Sequence, residues 1–303
     1  MIPDVWSSWL DDSLHSWSER QLLRVLHPTL GTGNPTEVLV SRDVVQHWGQ
    51  DRSQSNARAS AGPGSELVPL RLFSLNDYMG LSQHPRVCKA AAEAAERFGM
   101  GPRSSAIVAG YSQQHRDLEL ALAGLKGAED CLLFPTGFAA NMAAVAALCA
   151  EGDTAIFSDE LNHASIIDGA RLATRGEWAT LECPLLRALP DFRAPPVAGS
   201  VELHVYRHND LEHLEELLSA CRRPRKLVVT DSLFSMDGDF ADLRGLAALK
   251  RRHGFLWAVD EAHASLVRGQ MVASIASAFG PLPGSSCSAS HRRAGSGAEG
   301  RQR

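Results

Sequence analysis

The segment Phe255-Leu-Trp-Ala-Val-Asp260-Glu-Ala-His263 is an apolar run that closes on an acid and then a histidine. Such a run is typical of a buried strand, which would carry Asp260 and His263 to its carboxyl end. A second apolar strand is predicted at Leu227–Thr230, and an amphipathic helix at Leu243–Arg252 separates the two. A strand–helix–strand crossover within one sheet leaves its two strands parallel. The segment therefore predicts an α/β fold.

The same alternation extends back to residue 67, where short apolar strands begin to alternate with longer helices. Further strands are predicted at Cys131–Phe134, Thr154–Phe157 and Val201–Tyr206, and helices at Ala139–Cys149 and His163–Leu172. Alternation of this kind is typical of a mainly parallel sheet flanked by helices. We predict that this large domain spans residues 67–265.

Three other regions depart from this pattern. Residues 1–66 are predicted to form a helical N-terminal arm and a polar linker, with Trp6 and Trp17 at helical spacing. Residues 176–199 are proline-rich and are interpreted as an atypical insertion. Residues 266–303 are rich in Ser, Gly and Arg, and we predict a disordered tail there.

Composition narrows the class of protein. The 303 residues include 30 Lys and Arg against 35 Asp and Glu, a net charge of −5, which provides no basic surface for nucleic acid or an anionic membrane. The six cysteines lie far apart without a CxxC pair, so we predict free thiols rather than disulfides or a metal site. No apolar stretch is long enough to cross a membrane and no signal peptide is evident, which predicts a cytoplasmic protein.

One alternative follows from the string Asp260-Glu-Ala-His263, which matches the DEAH box of helicases. A helicase also needs a phosphate-binding loop of the form GxxxxGK[ST]. The chain has lysines only at positions 89, 126, 226 and 250, and none follows a glycine. The sequence therefore argues against the helicase interpretation.

A second interpretation uses the geometry of the sheet. The carboxyl ends of parallel strands lie at one edge, where ligands of open α/β sheets bind, so Ser235, Asp260 and His263 are expected in one site. Thr136-Gly137-Phe138 lies at the N-terminus of a predicted helix, where free N–H groups favour a phosphate, and His163 follows another strand. A phosphate cradle, a flat imidazole and an acid suit pyridoxal phosphate. Taken singly, these residues also have ordinary roles as caps, turn residues or core histidines.

Seven ordered segments strengthen the cofactor interpretation. They resemble the α-oxoamine synthases, pyridoxal phosphate enzymes with a fold-type I, aminotransferase-like large domain, over roughly residues 17–265 apart from 176–199. The segments are Asn76–Leu81, Gly99–Ser105, Gly110–Glu119, Thr136–Asn141, Ser158–Gly169, Thr230–Asp239 and Val259–His263.

The resemblance implies a role for each matched residue. The implied cofactor-binding residues are Gly137, Phe138, His163, Ser235, Asp260 and His263. Gly137 and Phe138 would hold the phosphate, His163 would stack on the ring, and Asp260 would pair with the ring nitrogen. Ser235 and His263 would contact the phenolic oxygen or orient the substrate, and both histidines would be catalytic. Asn76 and Arg24 would bind substrate.

The resemblance also implies a reaction. It is the decarboxylative condensation of an acyl-CoA, here pimeloyl-CoA, with L-alanine in biotin synthesis, carried out by a homodimer with a shared active site. Related branches form 5-aminolevulinate, 2-amino-3-oxobutyrate or 3-oxosphinganine. The resemblance is compatible with peroxisomal targeting of full-length relatives, but this sequence shows no C-terminal signal of that kind.

One departure from the family bears on that reaction. The family binds its cofactor covalently through a lysine downstream of the Asp-x-x-His motif, but no lysine follows Lys250 in this sequence. The small C-terminal domain is expected to be largely missing. We therefore expect weak or absent turnover, and the alternative is a non-catalytic chain that binds the cofactor or a partner subunit.

Overall fold

The computed structural model describes residues 4–20, 27–46, 66–150, 152–175 and 201–267. The chain divides into two compact units, residues 1–103 and 104–303. The interpreted insertion, residues 176–199, lies outside the described residues, as do the tail from residue 268 onward and Arg24.

The N-terminal unit combines helices with a small antiparallel sheet. Its elements are α1 (Asp4–Glu19), β1 (Leu30–Gly31), β2 (Glu37–Ser41), α2 (Arg42–Gln46), β3 (Leu67–Arg71), a 3-10 turn (Leu81–Gln83) and α3 (Pro85–Phe98). The sheet order is β1-β2-β3, with Leu39 opposite Pro69. Helix α1 covers the predicted helical segment, whereas β1 and β2 were not predicted from the sequence. Pairing of β2 with β3 is non-local, so local periodicity does not reveal it.

The pairing of β3 also bears on the domain boundary. The sequence pattern places residues 67–71 at the start of the large domain, whereas in the structure they complete the sheet of the N-terminal unit. The division between units falls after Arg103. The boundaries at residues 67 and 265 stay a prediction.

The C-terminal unit is a parallel sheet covered by helices, as predicted. Its elements are a π turn (Ala106–Gly110), α4 (Gln113–Lys126), α5 (Gly137–Cys149), β4 (Thr154–Asp159), α6 (Ala164–Arg175), β5 (Glu202–Tyr206), α7 (Leu211–Ala220), β6 (Arg225–Asp231), α8 (Leu243–His253) and β7 (Leu256–Asp260). The strand order is β5-β4-β6-β7, and all three pairs are parallel.

Two apolar layers cover the two faces of this sheet. On one face, Phe157 and Val228 pack with buried leucines of α7 and α8, such as Leu214 and Leu246. On the other face, Ile156 and its neighbours pack with residues of α5 and α6. All six residues of β4 are buried, and alternate side chains point into opposite layers. Packing of helices on both faces of the sheet holds the carboxyl ends of the strands in a fixed arrangement.

One predicted strand is absent. Residues Cys131–Phe134 form no strand, so that prediction is wrong. The N–H of Leu133 donates to Glu119 Oε1 at 3.1 Å, and the N–H of Cys131 donates to Asp130 Oδ1 at 2.8 Å. Side chains thus take the hydrogen bonds that a neighbouring strand would otherwise provide. An apolar run becomes a strand only where a partner strand lies beside it.

Helix α5 has a side-chain cap that can be tested. Thr136 Oγ1 accepts the N–H of Ala139 at 3.1 Å. We expect Thr136→Ala to lower the free energy of unfolding by about 1 kcal/mol, because the substitution leaves this N–H without its acceptor. Urea denaturation measures the change, and Thr136→Ser, which keeps the hydroxyl, is the matched control. Equal stability of the two variants would show that the cap contributes nothing.

Among the residues that the structure describes, we find no helix with both the length and the apolar character needed to span a membrane.

Candidate cofactor site

Three acids lie at the carboxyl edge of the parallel sheet. Asp159, Asp231 and Asp260 are the last residues of β4, β6 and β7, which are neighbours in the sheet. Asp231 and Asp260 are direct partners in the strand register. This edge is the place where ligands of parallel α/β sheets bind. The structure therefore gathers carboxylates from separate parts of the sequence at a candidate site.

The carboxylate of Asp260 is held in a fixed orientation. Its Oδ1 accepts the N–H of Ala262 at 2.8 Å, and its Oδ2 accepts Nδ2 of Asn141 at 2.7 Å. Its backbone carbonyl accepts both the N–H and the hydroxyl of Ser232, each at 2.8 Å. Donors on both carboxylate oxygens fix the plane and direction of the carboxylate. Asp260 can therefore present its carboxylate to a cationic nitrogen.

The imidazole of His163 is oriented by its neighbours. Its Nδ1 accepts the N–H of Ser165 at 3.2 Å and lies 2.7 Å from Ser165 Oγ. The neutral ring therefore carries its hydrogen on Nε2. Its backbone N–H donates to Asp231 Oδ2 at 3.2 Å. Phe138 meets the ring edge-on, with centroids 6.4 Å apart.

A hydrogen-bonded chain links this imidazole to the acid. Nδ2 of Asn141 donates both to Ser165 Oγ, at 2.9 Å, and to Asp260 Oδ2. Ser165 Oγ can then donate its hydrogen to His163 Nδ1. The imidazole and the carboxylate are thereby held relative to each other, as a flat ring ligand between them requires.

Asp231 is a buried acid that the sequence analysis did not select. Only 4% of the residue is exposed, and its Oδ1 has no hydrogen-bond partner among the described residues. Burial raises the pKa of Asp231 to about 7, and the charges of Asp260 and Asp159 act in the same direction. Two adjacent carboxylates resist ionising together. Near neutral pH the carboxyl edge therefore holds a partly protonated Asp231 beside Asp260.

The start of α5 has the features of an anion-binding site. The N–H groups of Gly137 and Phe138 open the helix, where backbone donors have no acceptor within the helix. A Cβ built on Gly137 would meet no atom within 4 Å, so open space lies beside this backbone. A helix N-terminus with room for close approach favours an anion. Together with Asp260 and His163, it fits the phosphate and ring of pyridoxal phosphate.

The other predicted site residues occupy different surroundings. Ser235 is exposed in the turn that follows β6, and His263 is half-buried in the turn that follows β7. Asn76 belongs to the N-terminal unit, where Tyr78 Oη donates to its Oδ1 at 3.4 Å. Arg24 lies outside the described residues. The roles of all the predicted site residues stay predictions.

A second acid–histidine cluster supports the turn that carries Ser235. His208 Nδ1 lies 2.9 Å from Asp159 Oδ1, and its Nε2 lies 2.8 Å from Asp239 Oδ2. Burial lowers the pKa of His208, but the hydrogen bonds to Asp159 and Asp239 outweigh it, and the net pKa is raised. Its ring meets Phe234 edge-on, with centroids 4.5 Å apart. The cluster ties the end of β4 to this turn.

Sequence reasoning missed residues that organise the site. They are Asn141, Ser165, His208 and Asp231. Asp231 ends an apolar strand just as Asp260 does, and this was a usable signal. Asn141 lies in a segment quoted for the resemblance. Nothing in the sequence indicates that Asn141 faces Asp260, 119 positions away.

Comparisons with known proteins point to one family. The family model described as aminotransferase class I and II matches residues 69–185 and 191–285. An 8-amino-7-oxononanoate synthase of Arabidopsis thaliana is 40% identical, over 92% of this chain and 64% of the relative. A protein of the same name from Anaeromyxobacter sp. (strain K) is 45% identical, over 77% of this chain and 52% of the relative.

Solved structures agree. A serine palmitoyltransferase of Sphingomonas wittichii matches with a TM-score of 0.59 and 25% identity. The match covers 86% of this chain and 53% of the chain of that structure. A serine palmitoyltransferase from S. paucimobilis, with a bound PLP–myriocin aldimine, matches with a TM-score of 0.62 and 25% identity. The match covers 89% of this chain and 56% of the chain of that structure. The cofactor of these relatives is pyridoxal phosphate, as the sequence analysis predicted.

The chain spans between about half and two thirds of the length of the relatives described above. The family match covers most of the sequence, including the start of α5 and the three strand-end acids. The chain therefore belongs to the aminotransferase class I and II family of pyridoxal phosphate enzymes, in its α-oxoamine synthase branch.

Proposed function

We propose that the C-terminal unit binds pyridoxal phosphate at the carboxyl edge of its sheet. Asp260 pairs with the ring nitrogen, His163 stacks on the ring, and the N–H groups of Gly137 and Phe138 hold the phosphate. When bound, the cofactor supplies an electron sink for carbanion chemistry. The observation that carries this proposal is the series of hydrogen bonds from His163 through Ser165 and Asn141 to Asp260, because it orients both the imidazole and the carboxylate.

The other residues have supporting roles in this proposal. Asp231 lies beside Asp260 and is partly protonated near neutral pH, so it adds less than a full negative charge next to the ring nitrogen. Ser235 and His263 contact the phenolic oxygen of the cofactor or orient the substrate. Asn76 and Arg24 bind substrate, and two copies of the chain form a homodimer with a shared site.

We propose the reaction of the named relatives for the whole protein. Pimeloyl-CoA and L-alanine condense to 8-amino-7-oxononanoate, with release of CoA and carbon dioxide, in biotin synthesis in the cytoplasm. The names of the Arabidopsis and Anaeromyxobacter relatives support this choice. The serine palmitoyltransferase structures favour a second candidate, the condensation of another acyl-CoA with an amino acid.

The lysines of this sequence limit what these 303 residues do by themselves. No lysine follows Lys250. Lys126 forms an ion pair with Glu261 and donates to Ser265 Oγ at 2.5 Å, and Lys226 donates to the carbonyl of Leu218 at 2.7 Å. We therefore propose that this chain binds the cofactor without a covalent bond and turns over weakly or not at all. A non-catalytic chain that holds cofactor or a partner subunit is the alternative.

Titration of the purified chain with pyridoxal phosphate tests the cofactor site. We expect saturable binding, followed by the circular dichroism induced in the cofactor, and weaker binding of pyridoxal, which lacks the phosphate. Loss of the stacked ring in His163→Ala should weaken binding about fivefold to tenfold, whereas His163→Phe should largely restore it. Arg171→Gln, on the exposed side of α6, is the control.

Two further results separate the parts of the proposal. If His163→Ala bound pyridoxal phosphate as tightly as the parent chain, the proposed position of the cofactor against His163 would be contradicted. Borohydride treatment followed by peptide mass spectrometry reports any lysine that becomes attached to the cofactor. Such a lysine, together with product from pimeloyl-CoA and L-alanine, would contradict the proposed lack of turnover and leave the site intact.

A further inference from the structure

A mixed group of potential metal ligands lies at the opposite edge of the parallel sheet. Glu202 and His204 stand two residues apart on β5, so they share one face of the strand. Cys221 follows the last residue of α7, which packs on the same side of the sheet. Glu202 pairs with Ala155 near the start of β4, and His204 pairs with Phe157, so the group lies toward the amino ends of the strands.

The three side chains can converge on one ion. Their ligand atoms all lie within 4.8 Å of one another, and Glu202 Oε2 is 3.4 Å from His204 Nε2. A tetrahedral zinc ion with bonds of 2.0–2.3 Å spaces its ligand atoms about 3.5 Å apart. Small side-chain rotations by Cys221 and its neighbours would close the difference. We propose that Glu202, His204 and Cys221 bind one zinc-class divalent cation, with water as the fourth ligand.

Contacts from outside the group hold each ligand through another atom, while Glu202 Oε2 and His204 Nε2 contact each other at 3.4 Å, where a cation would take the place of their shared hydrogen. Arg223 Nε donates to Oε1 of Glu202 at 2.8 Å, which leaves Oε2 facing His204. The imidazole of His204 stacks on the fully buried ring of Phe157, with centroids 5.0 Å apart and planes 15° apart. The N–H of Cys221 donates to the carbonyl of Leu217 at 3.1 Å, which fixes its backbone. Each ligand is thus positioned by a contact that does not use its metal-binding atom.

The local charges also suit a dication. Arg223 bridges Glu202 and Asp153, donating to Asp153 Oδ1 at 2.7 Å. With Cys221 as a thiolate, these four groups sum to two negative charges, which one divalent cation neutralises. Nitrogen, sulfur and oxygen donors together favour zinc, copper or cobalt over magnesium or calcium.

The proposed role is structural. A bound ion would connect the end of α7 to the edge strand β5, and it would do so only in the folded chain. A ligand that binds only the folded state raises stability in proportion to the logarithm of its concentration. No metal site was predicted from the sequence, because Glu-x-His followed 17 residues later by cysteine matches no familiar zinc spacing.

Cobalt titration of the full chain tests the site, because a cobalt–thiolate bond produces a near-ultraviolet charge-transfer band. We expect this band with the parent chain and with Cys88→Ser, which alters an exposed cysteine of α3. Cys221→Ser should abolish the band and weaken cobalt binding at least tenfold. Absence of the band in the parent chain, or its persistence in Cys221→Ser, would overturn the proposal.

Thermal unfolding with zinc provides a second readout. Zinc should raise the melting temperature of the parent chain, and a chelator should reverse the increase. Glu202→Gln keeps an oxygen for Arg223 and is expected to fold, yet it should show a smaller increase with zinc. If zinc raised the melting temperatures of Glu202→Gln and Cys221→Ser as much as that of the parent chain, the ion would lie elsewhere and the proposed site would be overturned.

Discussion

Asp260→Asn is expected to weaken pyridoxal phosphate binding by about tenfold to a hundredfold. A hydrogen bond to a charged group contributes about 1.5–3 kcal/mol, and 1.4 kcal/mol corresponds to a factor of ten in affinity. The asparagine also replaces one of two carboxylate acceptors, which the donors of Ala262 and Asn141 now use, with an NH₂ group. Titration followed by the induced circular dichroism of the cofactor gives the dissociation constant.

Asp168→Asn is the matched control for this experiment. Asp168 is a half-exposed acid of α6 that pairs with Arg171, and its substitution removes the same charge away from the sheet edge. We expect the control to bind the cofactor as the parent chain does. If Asp260→Asn also bound with unchanged affinity, Asp260 would not be the partner of the ring nitrogen.

Asp231→Asn is expected to change how stability depends on pH. Asp231 has its pKa raised from 3.8 to about 7, chiefly by burial and then by Asp260. Between these values the folded state holds a proton that the unfolded state has released, so stability falls as pH rises from about 4 to 7. The total loss is roughly 4 kcal/mol, at about 1.4 kcal/mol for each pH unit.

Urea denaturation without cofactor at pH 5 and pH 8 measures this effect. The asparagine has no proton to lose, so Asp231→Asn should be more stable than the parent chain at pH 8. Asp239→Asn is the control of opposite sign, because the hydrogen bond from His208 lowers the pKa of Asp239. That carboxylate stabilises the fold above its unfolded pKa, and its loss should lower stability at both pH values. A parent chain equally stable at pH 5 and 8 would contradict a raised pKa for Asp231.

Much of the fold could be predicted because it depends on local pattern. The strand ending at Asp260 and the helix after Leu243 both follow from apolar periodicity, which is a property of neighbouring residues. The exception is Cys131–Phe134, which has the composition of a strand but uses Glu119 and Asp130 as acceptors. A strand needs a partner that periodicity does not reveal.

The candidate site divides in the same way. Asp260 and His163 could be proposed because each follows a strand, and the carboxyl ends of parallel strands lie together. The hydrogen bonds between them could not be predicted, since Asn141 donates to Ser165 in another helix and to Asp260, which lies far away in the sequence. Hydrogen-bond partners depend on how helices pack on the sheet, and that packing is not visible in local sequence.

The sequence by itself determined the α/β class, the position of Asp260 at the end of a strand and the resemblance to α-oxoamine synthases, because short motifs and periodicity are local properties. Only the tertiary structure decided that Asp231 is buried beside Asp260 and that its pKa is raised to about 7. It alone brought Cys221 to Glu202 and His204 at the other edge of the sheet. Burial and convergence depend on distances in space, which folding sets between residues that the sequence keeps apart.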